Sequence, residues 1–447
     1  MILKSAERGD AMNSLQQKTK PLWYKMDNAA MIYSAIQRSD YSAVYRFSAV
    51  MTQKVDPKAL QKAVDKTMLR FPGFRVTIRS GFFWYYMEPD TRPGLVVQKD
   101  IQNPCQPVRF GTKDELVRVF YYENRISLEV FHALADGTGA LVLLRTLLAV
   151  YLRELGHEIP YLENAPDLNT EPSPEEWEDA YPHYADSRVK LKMGERNAYH
   201  QTGTPEPFYT LNVTMGLVQV DKLKAVAQKY HASITEYLAA VLIQSLIACQ
   251  RREKKRKEQP VSLAVPINLR SHFPSKTLRN FILTVRPCID PELGEYTFQE
   301  IISQVHHFMR LHINRQEMKA YITQNVALQR LPLLKIIPSP LKNFAMAAGY
   351  SILGDKPYST TLTNPGVFSV PPEMQPHIQR MEMILGQSYT PRVNCAVISY
   401  QNQMTITFAG TLKETDVERD FFRWLVKDGV KVKVISNREE PTECRTV

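Results

Sequence analysis

Residues Thr138–Leu152 are apolar nearly all round. A helix of that composition has no face to offer to water, so other elements must wrap it on every side. Immediately upstream lie two β-rich runs, Val117–Tyr122 and Arg125–Phe131, with only Glu123-Asn124 between them, which is the sequence signal of a hairpin. This part of the chain is therefore committed to a hairpin feeding a buried helix, and with it to a mixed αβ core. The connection is tight. His132 stands at the strand end, Asp136 and Gly137 lie in the turn, Thr138 is the expected N-cap, and Gly137 and Gly139 permit close backbone geometry.

That turn also carries the residue types that suggest chemistry. An imidazole with an ordinary pKa near 6.5 takes a proton from a nucleophile at neutral pH, and a nearby carboxylate holds the loop or orients the ring. His132 and Asp136 are thus a general-base site in outline. A core histidine followed by an Asp-Gly turn accounts for the same residues, and the spacing alone leaves both readings open.

A chain of 447 residues can bury a sizeable core and make two domains or subdomains, and its 44% apolar and 23% charged fractions are ordinary for a globular protein. No apolar run approaches the roughly 18–20 residues of a membrane helix, the best being broken by Arg145, and Met1–Lys20 lacks a signal-peptide core. A cytoplasmic protein is expected. The five cysteines, Cys105, Cys249, Cys288, Cys395 and Cys444, are odd in number and widely spaced, so free thiols are expected. His306, His307 and His312 lack the i, i+4 spacing of helical ligands, and no metal is expected. Much of the net charge of +10 comes from the run Arg251–Glu258. A solvated loop is the plainest reading of that run, and a phosphate-rich ligand or an acidic protein is the functional one; no nucleic acid is expected.

In chain order, residues 1–20 read as a flexible lead-in and Tyr41–Val50 as a strand. Asp56-Pro57 opens a helix with Ala59, Leu60, Ala63, Val64, Thr67 and Met68 on one face, stopped at Pro72-Gly73. Phe82–Met87 and Leu95–Val97 read as further strands. The polar, Pro-rich Gly156–Pro205 is a surface crossing, with a boundary near 195–208. The strand Tyr209–Val220, Asp221 as N-cap and a short helix then repeat the opening order. The chain reads as two similarly built αβ halves, 21–200 and 201–447. Ser233-Ile-Thr-Glu236 is a capping box for a second apolar helix, and Leu331–Leu341 is a basic apolar stretch, read as core or channel wall in preference to lipid contact.

Four phrases carry a family resemblance. Phe131-His-Ala-Leu-Ala-Asp-Gly137 resembles the H-H-x-x-x-D-G signature of the CoA-dependent acyltransferase superfamily, with Phe131 where the first His would stand. That group includes chloramphenicol acetyltransferase, the condensation domains of nonribosomal peptide synthetases and the alcohol acetyltransferases. Arg70-Phe-Pro-Gly-Phe-Arg75 resembles its R-H-P-x-L-R phrase, and Val265-Pro-Ile-Asn-Leu-Arg270 with Asn280-Phe281 resembles a second signature. Thr363-Asn-Pro-Gly366 is similar to a T-N-x-G phrase near the channel of alcohol acetyltransferase-like proteins.

The resemblance implies an α/β (α+β) chain of two chloramphenicol-acetyltransferase-like sandwich subdomains, arranged as a V-shaped pseudo-dimer with a tunnel at the interface. It implies direct transfer of an acyl group, acetyl in the first instance, from acyl-CoA to a small alcohol or amine, with no permanently bound cofactor. His132 is then the base, Asp136 an architectural partner at the catalytic turn, and Gly137 and Arg270 shape the site, Arg270 by pairing with Asp136 across the halves. Thr363 and Asn364 are candidates for the channel or the oxyanion donor. A monomer is expected. The alternatives are a condensation enzyme served by an acyl or peptidyl carrier protein, and a non-catalytic binding protein of the same fold.

Overall fold

Asp27 caps helix α1 (Asn28–Ala35), its side chain accepting the Ala30 N–H at 2.8 Å. Asp56 does the same for α2 (Pro57–Arg70), accepting from Lys58 and Ala59, and the face predicted from spacing is the face that is buried. The structure is a computed structural model and describes residues 23–35, 41–109, 114–163, 165–186, 196–253, 257–329, 356–388 and 390–438. The expected lead-in, the Leu331–Leu341 stretch and Cys444 lie outside the described residues.

The strands of the first half are β1 (Tyr24–Lys25), β2 (Val44–Met51), β3 (Val76–Ser80), β4 (Tyr85–Pro89), β5 (Gln98–Lys99), β6 (Val117–Tyr122) and β7 (Arg125–Phe131). The hairpin β6–β7 has the bounds predicted for it. Helix α3 (Gly137–Glu154) follows, buried on nearly every side and packed against α2. Its cap is Asp136, accepting the Gly139 N–H, and Thr138 lies two residues too late for the part assigned to it. The strand expected over Phe82–Met87 begins only at Tyr85, because Phe82 and Trp84 form the β3–β4 turn. The expected strand Leu95–Val97 is replaced by the short pairing of β5 with β6.

After a short helix α4 (Tyr181–Tyr184), the second half opens on β8 (Asn212–Gln219) and α5 (Val220–Lys229). Asp221 sits in the first turn of α5, accepting from Asn402, while Gln219 holds the cap position. The capping box at Ser233 and Glu236 opens α6 (Ile234–Arg252), the buried counterpart of α3. Strands β9 (Val261–Asn268), β10 (Ile282–Val285) and β11 (Cys288–Ile289) follow, then helices α7 (Phe298–His312) and α8 (Arg315–Gln329). The chain closes with β12 (Thr360–Thr363), β13 (Ile378–Leu385), β14 (Val393–Tyr400), β15 (Gln403–Gly410), α9 (Asp416–Lys427) and β16 (Lys433–Ser436).

These strands form an eight-stranded sheet in the order β10-β9-β12-β14-β15-β8-β16 with β11 on β9, a five-stranded sheet β13-β2-β7-β6-β5, and a small sheet β1-β4-β3. β13 connects the two large sheets. It lies antiparallel to β2 in the five-stranded sheet, while Thr405 of β15 donates to its Met381 carbonyl at 2.8 Å. The polar face of that sheet is closed by charge: Arg46 on β2 meets Glu129 on β7 at 2.7 Å and Asp100 at 2.7 Å, all nearly removed from water.

Candidate active site

Alternation along β7 puts Phe131 into the core at 0% exposure and turns its successor toward the other half. The His132 N–H donates to the Ala43 carbonyl at 2.7 Å, which fixes the backbone. Tyr33 of α1 stacks on the imidazole at 4.6 Å between ring centroids, and Tyr45 of β2 meets it edge-on at 5.0 Å, which fixes the ring plane.

Asn280 fixes the tautomer. Its Nδ2 donates to the His132 carbonyl at 2.9 Å, so its Oδ1 is the atom that faces His132 Nδ1 at 3.0 Å. An amide oxygen only accepts, and Nδ1 therefore carries the proton. Nε2 is left with its lone pair, the arrangement a general base needs. Burial pulls the imidazole pKa below its ordinary value. Its own carbonyl, Asp136, Asn280 and Asp27 oppose that effect without overcoming it. The neutral, proton-accepting form is therefore the one present at pH 7.

Asp136 is 1% exposed and fully engaged. Its Oδ2 accepts from Arg270 Nη1 at 2.7 Å and from the Phe281 N–H at 2.9 Å, and its Oδ1 accepts the Gly139 N–H at 3.1 Å. Arg270 spends its remaining donors on the Thr277 and Arg279 carbonyls and on Asn268. The pair therefore clamps the start of α3 to the segment after β9, and among the described residues no carboxylate oxygen hydrogen-bonds to the His132 ring. Of the two glycines in the turn, Gly139 is the one demanded by packing. A methyl group there would fall 2.0 Å from the Leu278 carbonyl oxygen, whereas at Gly137 it would rest at ordinary distance from Phe47.

Arg75, which closes the Arg70–Arg75 phrase, donates to the Arg92 carbonyl and not to Asp136. Among the described residues no hydrogen bond joins Thr363 or Asn364 to His132. Asn364 donates to Thr235 at 3.0 Å and accepts the Gly366 N–H at 2.9 Å, so it shapes its own turn. It also lines a cleft of about 500 Å³ with Thr235, Glu236, Asn268, His272 and Arg310. Asn268 connects that cleft to Arg270.

The described members of the basic run are neutralised locally. Arg251 pairs with Glu258 at 3.0 Å, Arg252 with Asp420 at 2.6 Å and Lys257 with Glu292 at 2.9 Å. Asn280, Tyr33 and Tyr45 are the site residues that sequence reasoning missed. Asn280 falls within the second signature phrase, and the phrase alone gave it no role.

No protein-family model matches the chain, and no curated protein matches it by sequence. Solved structures do. The chain is similar to polyketide synthase associated protein 5 from Mycobacterium tuberculosis, at 16% identity over 90% of this chain and 96% of that one, with a TM-score of 0.61. It is similar to TRI3 trichothecene 15-O-acetyltransferase from Fusarium sporotrichioides, at 10% identity over 91% and 94% of the two chains, with a TM-score of 0.58. A variant of the starter condensation domain of rhizomide synthetase RzmA, solved in complex with C8-CoA, aligns at 13% identity over 95% and 100%, with a TM-score of 0.57. The chain has the CoA-dependent acyltransferase fold, the mixed αβ architecture shared by chloramphenicol acetyltransferase and the condensation domains.

Proposed function

We propose that the protein transfers an acyl group, acetyl in the simplest case, from acyl-CoA to the hydroxyl or amine of a small acceptor. The observation that carries this reading is the Asn280 lock, which leaves His132 Nε2 free to accept a proton. The acceptor hydrogen-bonds to Nε2 and attacks the thioester carbonyl carbon as its proton passes to the ring. The tetrahedral oxyanion then collapses, the C–S bond breaks, and the departing thiolate takes the proton back from Nε2. No acyl-enzyme forms. Asp136 stays off the proton path because Arg270 and two backbone N–H groups already occupy its oxygens. One chain supplies both walls, His132 and Asp136 from the first half and Arg270 and Asn280 from the second, so a monomer suffices. A trichothecene acetyltransferase and a C8-CoA complex among the structural neighbours support the donor class.

The test is to incubate the purified protein with acetyl-CoA or octanoyl-CoA and pooled alcohols and amines, reading free thiol and product mass. Thiol release that depends on the acceptor, with a new ester or amide, is the expected result. Turnover only with donors loaded on a carrier protein would replace this reading with condensation, and turnover with neither donor would remove it.

Two further expectations concern kinetics. Because burial lowers the His132 pKa, kcat/KM should rise through an apparent pKa below the ordinary 6.5 and be flat from pH 7 to 8. Asn280→Asp places an anion beside Nδ1, favours the imidazolium, and should move that limb upward, whereas Asn280→Ala should lower kcat without the upward shift. A pH–rate profile for each variant checks this. Replacing Arg251, Arg252 and Lys257 by glutamine should leave the donor KM within about two-fold, since each charge is already matched at an exposed site. A steep rise in donor KM would restore those residues to the phosphate-binding role.

A further inference from the structure

Two aromatic side chains of the first half serve neither the core nor the candidate site. At the turn between β3 and β4, Phe82 is 72% exposed and Trp84 is 51% exposed. Phe82 stands edge-on to Phe83 at 4.8 Å between centroids, so the rings form a wedge at the hairpin tip. Just behind it, Lys25, Tyr86 and Arg79 occupy one row across β1, β4 and β3. Lys25 is exposed, and the Arg79 side chain is 54% exposed although it pairs with Glu88.

We propose that this hairpin tip docks the protein on an anionic lipid bilayer, the Phe82 and Trp84 rings entering the interface and the Lys25–Arg79 row meeting the headgroups. Area argues against a protein partner. At about 150–250 Å² per aromatic side chain, the exposed parts of Phe82, Phe83 and Trp84 offer roughly 350 Å², and with Trp23 beside β1 less than about 500 Å², whereas a stable protein interface takes about 800 Å² from each partner. A bilayer sets no such threshold, because lipids rearrange around a projecting wedge, and aromatic rings favour the boundary between headgroups and acyl chains. Charge argues the same way. The exposed Lys25 lies behind the tip beside an Arg79 shared with Glu88, and negative headgroups attract such a cation within a Debye length of the surface. Among the described residues no single helix is long and apolar enough to cross a membrane. The same small sheet runs on from β1 through Asp27, which meets Arg279 at 3.0 Å, into α1 and the Tyr33 ring that covers His132. Tip and imidazole roof thus belong to one continuous segment.

The experiment is vesicle sedimentation of the full chain, with phosphatidylcholine vesicles and with vesicles also containing phosphatidylserine. The wild-type protein should pellet with the anionic vesicles and far less with the neutral ones. The double variant Phe82→Ser with Trp84→Ser should partition at least about ten-fold less, with unchanged circular dichroism. Trp84→Phe gives a readout that survives any folding defect in the double variant: it should still bind, yet lose the fluorescence quenching by bromine-labelled lipids that the wild type shows. Wild-type protein that stays in the supernatant, a folded double variant that binds as well as wild type, or a dimer dissolved by the double substitution would each overturn the proposal. None of these readouts depends on acyl transfer.

Discussion

His132→Ala is expected to lower kcat/KM by about a hundred- to ten-thousand-fold, the range a positioned general base contributes. The expectation rests on there being no substitute base in contact with the site among the described residues. Asp136 is held by Arg270 and two N–H groups, and burial holds the Tyr45 hydroxyl far above its ordinary pKa while it donates to the Ala135 and Asp136 carbonyls. The fold should survive. The substitution removes one half-buried ring, its contacts with Tyr33 and Tyr45, and the partner of Asn280 Oδ1, a loss of about 1–3 kcal/mol. Activity measured beside a thermal melt therefore separates the two readings of the motif. A general base predicts a large rate loss with a modest melting shift; a core histidine predicts the modest shift alone. A folded variant that turns over like wild type would end the base assignment.

The parts of this molecule that were legible in sequence are those whose signals are local. β-rich composition and the two-residue gap gave β6 and β7, and the Asp-Pro start with its spaced apolar face gave α2. The reach of Arg270 to Asp136 came from the resemblance of two distant phrases, since no periodicity links residues 134 positions apart. Asn280 shows the limit. Its role depends on which amide atom faces the ring, and that is decided by the His132 carbonyl, a backbone group the sequence does not display. β13 was missed for a related reason. Arg380 and Glu382 within it look like surface residues, yet Glu382 is 1% exposed because Arg380 on the same strand and Arg125 on β7 compensate its charge. The cap of α3 is subtler. Asp136 and Thr138 are both capping residues by type, and the choice falls to Asp136 because the same carboxylate must also meet Arg270 and the Phe281 N–H.

That triple duty makes Asp136→Ala the most damaging substitution expected for stability. It leaves the Arg270 guanidinium, 12% exposed, facing carbonyls and an amide with no counter-charge, which costs on the order of 3–5 kcal/mol for a buried pair. It also strips the cap from α3, worth about 1 kcal/mol, and orphans the buried Phe281 N–H. Asp136→Asn keeps the shape and one of the two acceptor oxygens, removes the charge and sets its amide N–H against a donor on the other side, so it should fall between wild type and Asp136→Ala in both melting temperature and rate. Arg270→Leu alone strands the carboxylate and should cost about as much as Asp136→Ala. The double substitution should cost clearly less than the sum of the two singles, by at least about 1 kcal/mol, because neither charge is then left alone. Denaturant unfolding of the four proteins measures that coupling directly. If the two single costs simply add, the clamp between the halves is not an energetic unit, and the placement of His132 must be credited to Asn280 and the ring stack alone.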